Sequence, residues 1–214
     1  MKKALKLLAV AALAAVIGLS TAGCPPPGPD DGEAGSLGDT LTINAQVYTW
    51  DNNGFSPFTS TVPNLNYNGV TFLTELIDGT ASVTLTDGKL NVTLGTPKDS
   101  ALSSPETIMT IPEGVTVSPS GAKVFPISRF TTSADWNGGT VVQQRSANGS
   151  VTYVYCDKDV NVTGKFSSTY NGQTRTVDYA LYLKAGWNSF FSTQTSVKTG
   201  KPADDYKWVV SSQN

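Results

Sequence analysis

The sequence predicts an all-β domain, an antiparallel β-sandwich built from sequential hairpins. Three observations carry this expectation. From residue 40 onward the apolar residues recur with period two. Leu41, Ile43, Ala45 and Val47 alternate with Thr42, Asn44 and Gln46, as in a strand with one buried face. Turn dipeptides stand between such runs, at Asp87-Gly88, Asn148-Gly149 and Asn171-Gly172. No window of the chain carries a strong helical repeat, and residues 100–109 allow at most a short turn of helix before Pro112.

The N-terminus is of a different kind. Lys2, Lys3 and Lys6 precede thirteen apolar or small residues, 7–19, and small residues then lead into Ala22-Gly23-Cys24. This is the three-part layout of a secretory signal, expected to be helical over residues 4–20. The apolar stretch is shorter than the roughly 20 residues that a membrane span needs. Small residues placed directly before a cysteine resemble the lipobox of bacterial lipoproteins, although Thr21 stands where that family usually has Leu, Val or Ile. The resemblance implies cleavage between Gly23 and Cys24 and a diacylglycerol on the Cys24 thiol. Two or three acyl chains anchor a protein stably, whereas one does so only marginally.

The expected organisation is therefore a signal peptide over 1–23, a lipidated cysteine and tether over 24–37, and a β domain over 38–214. The tether is rich in Pro, Gly and acids, with its prolines stiff and extended and the remainder disordered. In the lipoprotein family an Asp directly after the cysteine favours inner-membrane retention. Pro25 stands there instead, which implies the outer membrane. Asp30, Asp31 and Glu33 resemble acidic clusters that accompany surface export, but they lie further from the cysteine than usual.

Within the domain, two hairpins can be written with their register. A two-residue loop at Asp87-Gly88 pairs Leu85 with Leu90, Val83 with Val92 and Ala81 with Leu94, all on one face. A loop at Asn171-Gly172 pairs Phe166 with Val177, Val162 with Leu181 and Val160 with Leu183, and sets Lys165 opposite Asp178. A one-residue slip would turn either apolar face to water. Around Asn148-Gly149 the same reasoning opposes Val142 to Tyr155 and Val141 to Cys156. Both faces are then apolar, so residues 151–156 are expected to form the most buried strand, with Cys156 a packed core thiol. The turn-rich residues 95–106 could divide two lobes, but one domain is preferred because sequential hairpins usually pair with neighbours.

Several segments resemble small envelope β-lipoproteins. They include Val47-Tyr48, the hairpin through Asp87-Gly88-Lys89-Leu90, Tyr155-Cys156-Asp157-Lys158-Asp159-Val160, and Leu181-Tyr182-Leu183-Lys184-Ala185-Gly186-Trp187-Asn188. The resemblance implies an envelope β protein and brings no catalytic residues with it.

Chemistry is bounded by the complete absence of His, which removes Ser-His-Asp and Cys-His mechanisms and most zinc and haem sites. Removing residues 1–23 takes away three lysines and no acid. That leaves 12 basic and 17 acidic side chains and a net charge of −5. Nucleic acid is a poor partner for such a chain. Aromatic residues beside turns, Trp136, Trp187, Tyr67 and Tyr170, are candidate ligand contacts, since exposed rings stack on sugars or anchor protein partners. Asp157 and Asp159 have the spacing that opens a calcium loop. Val162 and Ser168, however, occupy the positions where the helix-loop-helix version needs Gly and Glu. Asp135, Asp178, Glu75 and Glu113 are the carboxylates available to a glycan hydrolase, with no spacing that selects two of them.

The expectation is a lipid-anchored, non-catalytic structural or binding protein of the cell envelope, without a cofactor. Its partners are the membrane through its lipid and a glycan or an envelope protein. A surface glycan-binding module is the first alternative and a carboxylate hydrolase the second. Cys24→Ser should move the protein from the membrane fraction to the soluble fraction and abolish palmitate labelling; retained label would refute lipidation at this cysteine.

Overall fold

The computed structural model describes residues 36–51, 54–67, 73–109, 111–132, 139–201 and 203–213. The expected signal helix, the cleavage site with Cys24, the tether up to residue 35 and residues 133–138, which include Trp136, lie outside the described residues. From Glu33 onward the chain forms one compact unit. Among the described residues no helix is long and apolar enough to cross a membrane.

The all-β expectation holds. A short strand β1 (Ser36–Gly38) precedes β2 (Leu41–Asp51), which is followed by its antiparallel partner β3 (Gly54–Pro57). One helical turn, α1 (Leu73–Leu76), runs into β4 (Ile77–Thr86) and then β5 (Lys89–Pro97). The turn-rich stretch beyond holds a 3-10 turn at Asp99–Ala101 and α2 (Pro105–Ile108), the short helix expected before Pro112. Ser104 starts α2 by accepting the Thr107 amide at 3.3 Å. Pro105 follows at the first turn, where an amide would have no intrahelical acceptor anyway.

The remaining elements are β6 (Val115–Ser118), β7 (Val124–Ile127), β8 (Phe130–Thr131), β9 (Gly139–Ser146) and β10 (Gly149–Cys156), then β11 (Val160–Tyr170), β12 (Gln173–Leu183), β13 (Gly186–Thr193), β14 (Ser196–Thr199) and β15 (Lys207–Gln213). They join in one hydrogen-bonded path, β4-β5-β2-β15-β9-β10-β13-β14-β12-β11-β6. Off this path β1 pairs with β13, β3 with β2, β7 with β10 and β8 with β9. Pairing among the described residues is antiparallel except for β2 with β15 and β12 with β14.

Both clean hairpins have the register that their turns demand. Asp87 and Gly88 take φ of 50° and 74°, Asn171 and Gly172 φ of 50° and 76°, as a type I′ turn requires. Leu85 faces Leu90, Val83 faces Val92, and Lys165 faces Asp178 with a 3.2 Å ion pair. That ion pair is exposed and adds little stability. The apolar pairs matter more, since fully burying a Leu or Val is worth about 1.5–3 kcal/mol.

The third hairpin differs from its expected register. Its turn is Ala147-Asn148, one residue early, with the Ser146 hydroxyl accepting the Asn148 amide at 3.3 Å. Gly149 serves packing instead of turning: a Cβ there would lie 2.5 Å from the Ser192 carbonyl oxygen of β13. After two pairs the arms splay. Val142 and Val141 go to Phe130 and Thr131 of β8, and Tyr155 and Cys156 go to Phe125 and Val124 of β7. With both faces apolar, period two cannot choose the partner or the register.

The double burial itself is as expected. Val151 and Tyr153 of β10 enter one core with Leu41, Val92, Phe130 and Trp208. Val154 and Cys156 enter a second core with Val162, Leu181 and Phe190. The longest buried run belongs to the neighbouring β13, whose residues 186–190 are all buried, so β13 replaces 151–156 as the most enclosed segment.

Gly88 of the first hairpin sits against β2 and the segment that follows β3. Its N–H donates to Ser60 O at 3.0 Å, and its carbonyl accepts the Val47 amide at 2.8 Å. A Cβ on Gly88 would stand 1.7 Å from the Phe58 carbonyl oxygen, whereas one on Gly172 would meet nothing within 4 Å. Gly172→Ala should therefore cost only the left-handed backbone penalty, about 1–2 kcal/mol. Gly88→Ala should cost at least about 2 kcal/mol more in denaturant unfolding. Equal losses at the two turns would contradict the docking of the first turn on β2 and on residues 58–60.

Candidate functional site

The alternation that buries Leu41, Ile43 and Val47 places Tyr48 and Trp50 on the outer face of β2. The β2–β3 register sets Trp50 directly opposite Phe55 and Tyr48 opposite Pro57. The Trp50 and Phe55 rings lie 5.3 Å apart, and those of Tyr48 and Phe55 6.3 Å apart in an edge-to-face arrangement. Trp50 and Phe55 remain 36% and 37% exposed, which puts them among the few large apolar residues of the described chain open to water.

Two cations complete this face. Lys207 and Arg145 are direct cross-strand partners in the β15–β9 ladder, and the β2–β15 register aligns Val209 with Tyr48. The Arg145 guanidinium lies 4.5 Å from the Trp50 ring centre, and the Lys207 ammonium lies 6.0 Å from that of Tyr48. Like charges directly opposite each other disfavour pairing. The two rings offset this, each cation–π contact being worth about 0.5–1 kcal/mol at an exposed site. A shallow groove continues from Tyr48 and Lys207 past Asn44 and Gln46 to Leu37.

The aromatics singled out beside turns do not join this face. Trp187 is fully buried, so its expected role as a ligand contact is overturned. Its indole Nε1 donates to Gly95 O at 3.0 Å, and its ring meets Phe125 and Tyr155 edge-on. The Gly-Trp-Asn triplet opens β13 instead of forming a loop tip. Tyr67 is half-buried, stacks near Phe125 at 5.2 Å and gives its hydroxyl to Pro126 O at 2.8 Å, which makes it a packing residue. Tyr170 ends β11 with its side chain outside the described residues, as Trp136 is entirely.

The paired acids pin loops. Asp157 Oδ1 accepts the Lys123 amide at 2.8 Å. Asp159 Oδ1 accepts the Ala185 amide at 2.9 Å while Oδ2 meets Lys184 Nζ at 3.2 Å. Each carboxylate accepts a backbone amide, and among the described residues no group of three or more His, Cys, Asp or Glu gathers around them. Asp178 is taken by Lys165, and Glu75 and Glu113 stand exposed on α1 and in the turn before β6, on different elements. Asp135 lies outside the described residues.

Two buried titratable groups are structural. Burial, helped by the nearby Asp157 and Asp159 charges, pushes the Cys156 thiol up to about 12, so it stays a neutral packed thiol. Burial likewise raises Tyr153, whose hydroxyl donates to Gln144 Oε1 at 2.6 Å while its ring stacks on Trp208.

Phase along β2 was the signal that could have found the exposed rings. Once Leu41, Ile43 and Val47 face inward, Tyr48 and Trp50 must face outward. Arg145 and Lys207 carried no such signal, because the β15–β9 pairing joins distant parts of the chain.

Asp159 supplies a pH test. The Ala185 amide, then Lys184, hold its carboxyl below the ordinary 3.8. A depressed folded pKa contributes stability that is present above 3.8 and lost as pH falls through the folded value. Asp159→Asn should flatten the acid limb of the melting-temperature profile below about pH 4. An unchanged acid limb would show that this carboxylate is not held as described. No family model, no curated protein and no solved structure matches the chain, so its function is read from this surface.

Proposed function

We propose that this protein is a lipid-anchored component of the bacterial cell envelope, held at the outer membrane through Cys24, whose β domain is a non-catalytic binding module for glycans. The signal layout and the Gly23-Cys24 junction support the anchoring. The outward rings of Tyr48, Trp50 and Phe55 carry the binding reading.

Large rings gain most by leaving water, and Trp, Tyr and Arg dominate the energetics of recognition surfaces. Here three rings gather on one rigid strand pair, beside two cations from the adjoining strands. Aromatic rings stack on the apolar faces of sugars, and the surrounding donors suit hydroxyl groups. The face is open, and small ligands generally require concave sites. An extended saccharide chain lying across the strands is the occupant such a surface fits.

The test is a glycan array probed with the full chain in detergent, using wild type and the Trp50→Ala, Phe55→Ala double variant. Hot-spot rings typically cost at least about 2 kcal/mol on truncation, roughly 30-fold in affinity. The double variant should lose that much while staying folded, its melting temperature falling by only a few degrees as the Trp50–Phe55 and Trp50–Arg145 contacts go. A variant that binds as tightly as wild type would remove the aromatic face from the binding site.

A further inference from the structure

The surplus of positive charge around this face lies in an otherwise acidic protein. Arg145 and Lys207 face each other across the β15–β9 ladder, and no carboxylate pairs with either among the described residues. Beyond Arg145 a shallow groove opens between the β9–β10 turn and the β13–β14 turn. Its lining includes Asn148, Ser150, Arg175, Thr193 and Gln194, and no Asp or Glu among the described residues. Arg175 comes from β12 and donates to Gln194 Oε1 at 2.7 Å, which holds a second guanidinium over the same groove. Three separate strands, β9, β12 and β15, thus bring three cations to one side of the domain.

Such an arrangement concentrates positive charge that an anion would neutralise. Like charges repel, and a chain of net charge −5 after residue 23 has acids to spare for neutralising them locally. The Arg145 guanidinium sits over the Trp50 ring, and among the described residues its N–H donors have no hydrogen-bond partner, so they can grip an acid. Arg145 therefore belongs to both surfaces: it borders the rings on one side and lines the polar groove on the other.

We infer that the ligand is an anionic polysaccharide, whose sugar faces stack on Tyr48, Trp50 and Phe55 while its acid groups pair with Arg145, Arg175 and Lys207. The inference rests on the glycan-binding reading above and sharpens it from glycan to acidic glycan. Carboxylated and sulfated chains offer the same chemistry to these cations. The planar forks of the two arginines match a carboxylate bidentately, so a uronate polymer is the better fit.

The test is calorimetric titration of the full chain in detergent with polygalacturonate, heparin and neutral pullulan, at 50 mM and 500 mM salt. Wild type should bind polygalacturonate at least about tenfold more tightly than pullulan, the preference shrinking at high salt. Arg145→Gln and Arg175→Gln, made separately, should each lower polygalacturonate affinity about tenfold, and Arg175→Gln, away from the rings, should leave pullulan binding unchanged. Tighter binding of heparin than of polygalacturonate would assign the site to sulfated chains, overturning the uronate preference. Equal binding of all three polymers, abolished by Trp50→Ala, would overturn the acidic inference and leave the glycan reading standing. Binding of none of them would overturn both. Arg175 sits on an exposed hairpin away from both cores, so its variant stays informative even if Arg145→Gln unsettles β9.

Discussion

Burial of the β10–β13 pair on both faces is the constraint from which the rest of the structure follows. The two strands pair over eight residues, from Gly149 with Thr193 to Cys156 with Gly186. Alternate residues of β10 then belong to different cores, Val151 and Tyr153 to one and Val154 and Cys156 to the other. A strand covered on both sides must have every polar group satisfied within the protein. Buried Asn188 shows how this is done: its amide donates to the Lys184 and Gly186 carbonyls, and its Oδ1 accepts the Lys184 amide. Gly149 and Gly186 then appear where neighbouring backbone comes too close for a side chain.

Legibility of the fold in the sequence follows directly from this division. Where a strand is buried on one face only, period two fixes its phase and a turn dipeptide fixes its register. The β4–β5 and β11–β12 hairpins could be written out pair by pair for that reason. Where both faces are apolar the phase carries no information. The β9–β10 turn accordingly lies one residue before the place its turn dipeptide suggests, and its arms splay without a local signal. Long-range pairings such as β2 with β15 leave no local trace, because nothing in either segment names its partner.

The candidate site was half legible for the same reasons. The outward positions of Tyr48 and Trp50 follow from the phase of β2, whereas rings beside glycines and asparagines form the more conspicuous local pattern. A ring next to a turn dipeptide can as easily open a strand as crown a loop. Trp187 does the former and spans from β13 to the Gly95 carbonyl of β5. The cations were invisible in sequence, since Arg145, Arg175 and Lys207 meet only through the sheet path.

The placement of the indoles also has an optical consequence. Trp187 and Trp208 are sealed in the first core, whereas Trp50 lies at the surface with a guanidinium over its ring. Emission from the core indoles reports on packing and is shielded from aqueous quenchers. Emission from Trp50 should be red-shifted, more open to quenchers and sensitive to anything that settles on its ring. With Trp136 replaced by Phe, one chain would carry separate built-in reporters of its folding and of occupancy at the outer face, and no extrinsic dye would be needed to tell them apart.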